Sequence, residues 1–205
     1  MTDSTHADPA TPPVKWSSII VSAYLPTLMS SLGYGAVIPL IPLTAVHIGA
    51  SAALAAAIAA LVGIGQIIGD VPAGWLVTKI GEKWSLVMAM LINAVALVSM
   101  GLVHHFGLLA VAVLVNGTAG AVYGIARQNY LTVAIPYRYR ARALSTLGGV
   151  FRVGWFVGPM AGSWILREAS MSWAYGFASI ASVLAAAATV MPDLPPVDVP
   201  QTAVD

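Results

Sequence analysis

Three ionisable side chains lie inside long apolar stretches of the sequence, and they are the residues best suited to chemistry. They are Asp70, Arg127 and Arg152. A charge among apolar residues is costly, so each is expected to serve a function and to have a partner. A carboxylate can exchange a proton, whereas an arginine cannot usefully release one and instead holds an anionic group or modulates the carboxylate. The alternative is that they form a structural ion pair.

Uncharged polar residues near these charges repeat at helical spacing. Gln66 and Asp70 are four residues apart, which places them on one side of a helix. Two further stripes follow steps of three and four, namely Tyr24, Thr27, Ser31 and Tyr34 in one, and Asn116, Gly120, Tyr123, Arg127 and Tyr130 in the other. The stripes predict a water-accessible cavity between three helices, with the candidate lining residues Tyr24, Tyr34, Gln66, Asn116 and Tyr123. The alternative is that these side chains only hold helices together.

Other kinds of chemistry find little support in the sequence. The chain has no cysteine, which excludes disulfides, thiol catalysis and thiolate metal sites. His104 and His105 are adjacent, and no carboxylate accompanies them within an apolar stretch, so we expect no metal site, no cofactor and no enzyme activity. The net charge is +1 and the charges sit in short clusters, so no basic face for nucleic acid is predicted.

The composition indicates whether the surface of the protein faces water or lipid. Of the 205 residues, 59% are hydrophobic and only 8% are charged. A soluble domain has about a quarter of its residues charged, so this chain cannot cover a surface that faces water. The sequence therefore predicts an integral membrane protein, of the all-α class, whose helices contact lipid.

Six apolar stretches are long enough to cross a bilayer, which needs about 20 residues per helix. They cover roughly 17–45, 52–77, 84–103, 107–133, 144–166 and 171–191. The first contains Pro26, Pro39 and Pro42, so it is expected to be kinked or partly broken. Residues 16–191 form the predicted transmembrane domain, and the polar segments 1–15 and 192–205 are expected to be disordered.

Basic residues predict the orientation of the six spans. With a cytoplasmic N-terminus, Arg167 alone falls outside, and the cytoplasmic side carries Lys15, Lys79, Lys83, Arg138, Arg140 and Arg142. Both termini are then cytoplasmic. At 1.5 Å per residue, the three buried charges lie at a similar depth, roughly 10–14 Å below the cytoplasmic surface. We therefore expect Asp70 to pair with Arg127, with Arg152 or with both.

Glycines in the fifth span follow a packing pattern. Gly149, Gly154, Gly158 and Gly162 are separated by steps of five, four and four, and small residues at such spacing let helices approach closely. Pro159 removes one backbone hydrogen bond and is expected to kink the helix. A bent, closely packed helix is typical of a moving bundle, although a static packing groove has the same pattern.

Two stretches together resemble the major facilitator superfamily. "GWLVTKIGEKWSL" looks like that family's loop between helices two and three, and departs from it at Thr78, where the family has Asp, and at Glu82, where a base is usual. Its matching residues are Gly74, Leu76, Lys79, Gly81 and Lys83. "GWFVGPMAGS" is similar to the family's fifth-helix motif and departs from it only at Ser163. It matches through Gly154, Gly158, Pro159 and Gly162.

The resemblance covers about residues 16–191 and implies a fold, a mechanism and partners. Members of the family have two six-helix halves, each built from a 3+3 inverted repeat, with the substrate site between the halves. This chain resembles the N-terminal half of a drug/proton antiporter. The resemblance therefore implies a cell-membrane transporter that exports a small molecule by alternating access, with proton coupling through Asp70.

The implied mechanism requires a second six-helix half. It would come from a distinct chain or from a second copy, and a distinct chain is favoured because nothing in the sequence resembles the second half's pattern. The chain would be a natural half or a fragment of a longer protein. The alternative function is a non-transporting six-helix subunit that stabilises or regulates a partner, favoured by the short length and by the missing loop Asp at position 78.

Overall fold

The computed structural model describes residues 20–190, and every regular element within that range is helical. The predicted disordered termini, 1–15 and 192–205, lie outside the described residues. A π-helical turn, Ile20–Tyr24, leads into the first of seven α-helices. These are α1 (Leu25–Val37), α2 (Leu40–His47), α3 (Ala52–Ile80), α4 (Glu82–Leu102), α5 (Phe106–Ala134), α6 (Tyr137–Glu168) and α7 (Met171–Val190).

The first apolar stretch is broken into two helices, as its prolines predict. α1 ends at Val37 and α2 begins at Leu40, after a turn that contains Pro39. Proline has no backbone N–H and cannot continue the helical ladder, but it is tolerated where a new helix starts. The break divides the stretch into a longer first helix, α1, and a short second helix, α2.

Five candidate membrane spans are present in the described part of the chain: α1 with α2, then α3, α4, α5 and α7. The predicted boundaries of these spans agree with the helices to within about three residues, apart from the start of the first. Helix α6 is long, at 32 residues, but it is less apolar because it carries several arginines. It begins at Tyr137, so the basic segment that was expected to be a connecting loop is the first turns of a helix.

The helices form a bundle in which α3 and α6 occupy the two edges. α3 packs on α5, α5 on α4, α4 on α7, α7 on α1, and α1 on α6. In the most apolar part of α3 only 28% of the residues are buried, compared with 50% in each of the other four spans. One side of the bundle is therefore bounded by α3 and α6, with α1 and α5 between them.

Glycines set the distance between the paired helices. A Cβ atom at Gly154, Gly158 or Gly162 would collide with α1, at Ser31, at Leu32 or at Ala36 respectively. Similar contacts join α3 to α5, where Gly65, Gly69 and Gly117 lie against the facing helix. Because only glycine lets two backbones come this close, these positions determine which helix faces lie together.

The connection between α3 and α4 is a single residue. Gly81 ends α3 and precedes α4 with φ of 81°. That backbone conformation is costly for residues with a Cβ atom. α3 and α4 are therefore joined by a tight reversal, although the two helices share few contacts along their lengths.

Candidate functional site

A small cavity lies within the bundle, close to the middle of the described helices. Its volume is about 120 Å³, which corresponds to about four water molecules at ~30 Å³ each. Five helices contribute to its wall. The lining residues are Ser30 and Tyr34 of α1, Gln66 of α3, Met90 and Asn93 of α4, Gly120, Tyr123, Gly124 and Arg127 of α5, and Phe151 of α6.

Polar contacts between helices define the wall of the cavity. The Gln66 side-chain amide donates to the Tyr34 hydroxyl at 2.9 Å, which joins α3 to α1. Ser30 Oγ lies 3.1 Å from the Tyr123 hydroxyl, which joins α1 to α5. The Tyr34 ring also stacks against Trp155 of α6, with 6.4 Å between ring centroids. Three of the five predicted lining residues, Tyr34, Gln66 and Tyr123, are thus brought together on this cavity.

Arg127 brings a positive charge to the cavity wall. Its guanidinium carbon lies 4.9 Å from the centroid of the Phe151 ring and 5.5 Å from that of Tyr123. Its Nε and Nη1 atoms are buried and have no hydrogen-bond partner within the described part of the chain. Ring faces attract a cation, so the two aromatic rings hold the guanidinium in place without supplying an acceptor to Nε or Nη1.

The expected pairing of Asp70 with an arginine is wrong for this structure. Among residues 20–190, Asp70 forms no ion pair with Arg127 or Arg152 and is exposed on α3, outside the cavity. Arg152 is exposed on α6. The side chains of consecutive helical residues point about 100° apart. Phe151 faces the cavity, so the side chain of Arg152 points away from it. The three charges therefore face different ways.

Two other predicted lining residues lie elsewhere. The Tyr24 hydroxyl donates to the Ala143 carbonyl at 3.4 Å, which joins the π-helical turn to the second turn of α6. Asn116 is 2% exposed and packs behind the cavity. Its amide donates to Asn93 Oδ1 at 2.6 Å, and the Asn93 amide donates to Ser182 Oγ at 3.0 Å. Asn116 therefore supports a lining residue instead of lining the cavity itself.

Five lining residues were not predicted: Ser30, Met90, Asn93, Gly124 and Phe151. Asn93 is a lone amide in an apolar span, so its residue type could have identified it as a candidate lining residue. Met90 and Phe151 are apolar and carry no signal in a chain of this composition. The predicted α1 stripe contained Ser31 instead of Ser30, whereas Ser31 is buried beside Gly154 and donates to the Leu28 carbonyl.

The residues of the loop motif surround the α3–α4 reversal. Lys79 Nζ lies 5.9 Å from the Trp75 ring centroid, and Thr78 donates to the Trp75 carbonyl at 2.8 Å. Leu76 packs against the core between α3, α4 and α5. The two glycines of the motif have different environments. Gly74 lies within α3, where a Cβ atom would meet no described residue within 4 Å, whereas Gly81 forms the turn. Lys83 lies in the first turn of α4.

A second cavity, of about 460 Å³, opens at the opposite end of the bundle from this reversal. His47 and His104 line it, together with Thr44, Met171 and Tyr175. Thr44 Oγ1 lies 2.8 Å from the Tyr175 hydroxyl, which joins α2 to α7. No group of three or more metal-binding His, Cys, Asp or Glu side chains occurs within the described range.

Comparison with known proteins places this bundle in a family. The sequence profile described as "Major Facilitator Superfamily" matches residues 23–205. The chain belongs to the major facilitator superfamily. As a member of this family with several apolar helices, it is a multi-pass integral membrane protein of a transporter family.

Curated relatives in the major facilitator superfamily share about the same level of identity with the chain. Two uncharacterized MFS-type transporters, from two strains of Mycobacterium tuberculosis, are each 28% identical over 189 residues, which is 91% of this chain and 27% of the relative. A class H tetracycline resistance protein of Pasteurella multocida is 28% identical over 171 residues, which is 78% of this chain and 40% of the relative. The chain thus spans less than half the length of the curated relatives that it matches.

Proposed function

We propose that the chain forms the N-terminal six-helix unit of a major facilitator transporter that exports a small molecule in exchange for protons. The observation that carries the proposal is a polar cavity between α1, α3, α4, α5 and α6, in a chain that belongs to this transporter family. α6 is the sixth span in this proposal. The six spans form a 3+3 inverted repeat with both ends in the cytoplasm, and the protein lies in the cell membrane.

A second six-helix unit completes the transporter in this proposal. The side of the bundle bounded by α3 and α6 is where that unit would pack, because α3 is the least buried of the five candidate spans. A unit of different sequence, in the same polypeptide or another, is favoured over a second copy of this chain. Alternating access then consists of rocking of the two units about the substrate, as in other transporters built from repeats.

Proton coupling is assigned to Asp70. Among residues 20–190 the acidic side chains are Asp70, Glu82 and Glu168, and only Asp70 lies in the middle of a helix. Glu82 begins α4 and Glu168 ends α6. An exposed carboxylate in the middle of α3 is placed where it can meet the second unit or an aqueous path, so its protonation can follow the transport cycle.

Export is favoured by the resemblance of α6 to the antiporter motif and by one relative's name as a tetracycline resistance protein. Tetracycline is therefore the first compound to test. Energised everted membrane vesicles that contain the full-length protein should release protons when tetracycline or another compound from a panel of small aromatic drugs is added. Vesicles from cells without the protein provide the background.

The alternative, a non-transporting membrane subunit, predicts that no compound of the panel moves protons. The mass and composition of the tagged protein, extracted gently from its native membrane, separate the two functions further. An assembly with twelve or more helices, from one chain or two, supports transport. A six-helix monomer would contradict it, because no second unit would be present to form the site.

A further inference from the structure

We infer that Arg127 is an anion-binding residue of the cavity, and that the transported compound carries a carboxylate on an apolar or aromatic body. This inference rests on the proposed transport function and names the substrate class of its cavity. Five observations support it: unsatisfied Nε and Nη1 atoms, the absence of a counter-ion within the described chain, the aromatic surroundings, a hydroxyl with a hydrogen left to donate and the cavity size.

Two of the three guanidinium nitrogens of Arg127 have no hydrogen-bond acceptor among residues 20–190. They are Nε and Nη1, which are buried, whereas the side chain as a whole lines the cavity. A buried donor without an acceptor is unfavourable, and more so when it is charged. A planar guanidinium binds a carboxylate through two parallel N–H groups, and such a pair can include Nε or Nη1 but not both, because these two nitrogens lie on different edges. A carboxylate that enters the cavity would therefore relieve part of the deficit and also neutralise the charge.

No carboxylate of residues 20–190 supplies that acceptor. Asp70 is exposed on α3 and forms no ion pair with Arg127, and Glu82 and Glu168 lie at helix ends. The neighbours that Arg127 does have are the rings of Tyr123 and Phe151. These rings stabilise the cation through their faces and leave Nε and Nη1 without an acceptor. They also offer an apolar surface to the body of a ligand.

Tyr34 adds a neutral donor to the same cavity. Its hydroxyl oxygen accepts a hydrogen bond from Gln66, so the hydroxyl hydrogen remains available to donate. A volume of about 120 Å³ accommodates a carboxylate and the atoms next to it, and not a large molecule. The cavity thus fits the anionic group of a substrate whose remaining part extends out of it.

The test compares benzoate with benzamide, which have the same ring but differ in charge. Binding of each compound to the purified full-length protein in detergent is measured by isothermal titration calorimetry. Benzoate should bind at least tenfold more tightly than benzamide. Arg127→Met should weaken benzoate binding at least tenfold and remove the preference. Arg152→Met makes the same charge change outside the cavity and should keep the preference.

Equal affinity of the unaltered protein for both compounds would overturn the inference, as would unchanged benzoate binding in Arg127→Met. If that variant does not fold, Arg127→Lys and Tyr34→Phe replace it. Each should weaken benzoate binding several-fold, because the first loses the planar pair of donors and the second loses one donor. Benzoate binding unaffected by either would likewise overturn the inference.

Proton movement in vesicles distinguishes failure of this site from failure of the proposed function. If the unaltered protein shows drug-dependent proton release but does not prefer benzoate to benzamide, the anion site is overturned and the proposed transport function is supported. A benzoate preference that depends on Arg127, without proton release for any compound, would support the site and contradict the transport function.

Discussion

Gly158 of α6 lies against the backbone of Leu32 of α1, so closely that a Cβ atom on the glycine would come within 2.5 Å of the Leu32 carbonyl oxygen. The nitrogen of Ala36 would be 2.8 Å away. Backbone atoms cannot move aside as a flexible side chain can. Gly158→Ala should therefore force α1 and α6 apart and lower the free energy of unfolding by about 1–3 kcal/mol.

That change is measured by unfolding in mixed detergent and SDS micelles. The matched control is Gly149→Ala, in the same helix, because a Cβ atom at Gly149 meets no atom of residues 20–190 within 4 Å. Equal stability of the two variants would show that α1 and α6 do not pack as described.

The hydrogen bond between Gln66 and Tyr34 should couple α3 to α1 energetically. A double-mutant cycle with Tyr34→Phe and Gln66→Leu is expected to give a coupling free energy of about 0.6 kcal/mol, and at most about 1.7 kcal/mol, as for other hydrogen bonds between membrane helices. The same unfolding assay measures it. Tyr34→Phe combined with Ser99→Ala, whose hydroxyl bonds within α4, should be additive within about 0.5 kcal/mol. A coupling indistinguishable from that control pair would argue against the contact.

Gly81 should be intolerant of a side chain for a conformational reason. Its φ of 81° with ψ of 165° is a conformation that essentially only glycine adopts, and an alanine there costs about 1–3 kcal/mol. Gly81→Ala is therefore expected to lower the midpoint of thermal unfolding. Gly74→Ala is the control, since Gly74 lies within α3 and a Cβ atom there would meet nothing within 4 Å in the part of the chain that the structure describes. If Gly74→Ala proved the more destabilising of the two, the tight reversal at Gly81 would be contradicted.

Asp70→Asn should abolish drug-dependent proton release while leaving expression and assembly normal, because the amide cannot take up a proton. The measurement uses everted vesicles with equal amounts of protein in the membrane. Glu168→Gln removes a carboxylate at the end of α6 and should leave proton release unchanged. Full activity of Asp70→Asn at every pH tested would remove Asp70 from the mechanism.

Much of the fold follows from sequence features with direct physical meaning. Pro39 ends one helix and starts another because it lacks an N–H group. Gly154, Gly158 and Gly162 identify a close helix contact, and the structure adds that the partner is α1. The start of α6 was placed too late, since tyrosines and arginines at its N-terminal turns look like a loop when only apolar residues are counted.

The site was harder to predict because helix rotation is weakly encoded in an apolar chain. Lipid-facing and protein-facing surfaces are both apolar, so no hydrophobic contrast distinguishes Phe151 from its neighbours. The polar stripe of α1 was assigned to Ser31, yet Ser30 reaches the cavity while Ser31 packs beside Gly154. A difference of one residue is enough to move a side chain from a cavity into a helix contact.

The sequence by itself determined the membrane environment, the helices and the positions where backbones touch, because these depend on residue type and on spacing along one chain. It also predicted a similar depth for Asp70, Arg127 and Arg152. Only the tertiary structure decided which way each of them points. Arg127 is enclosed by Tyr123 and Phe151, while Asp70 and Arg152 face outward, because close packing at glycines fixes the rotation of α3, α5 and α6 about their axes.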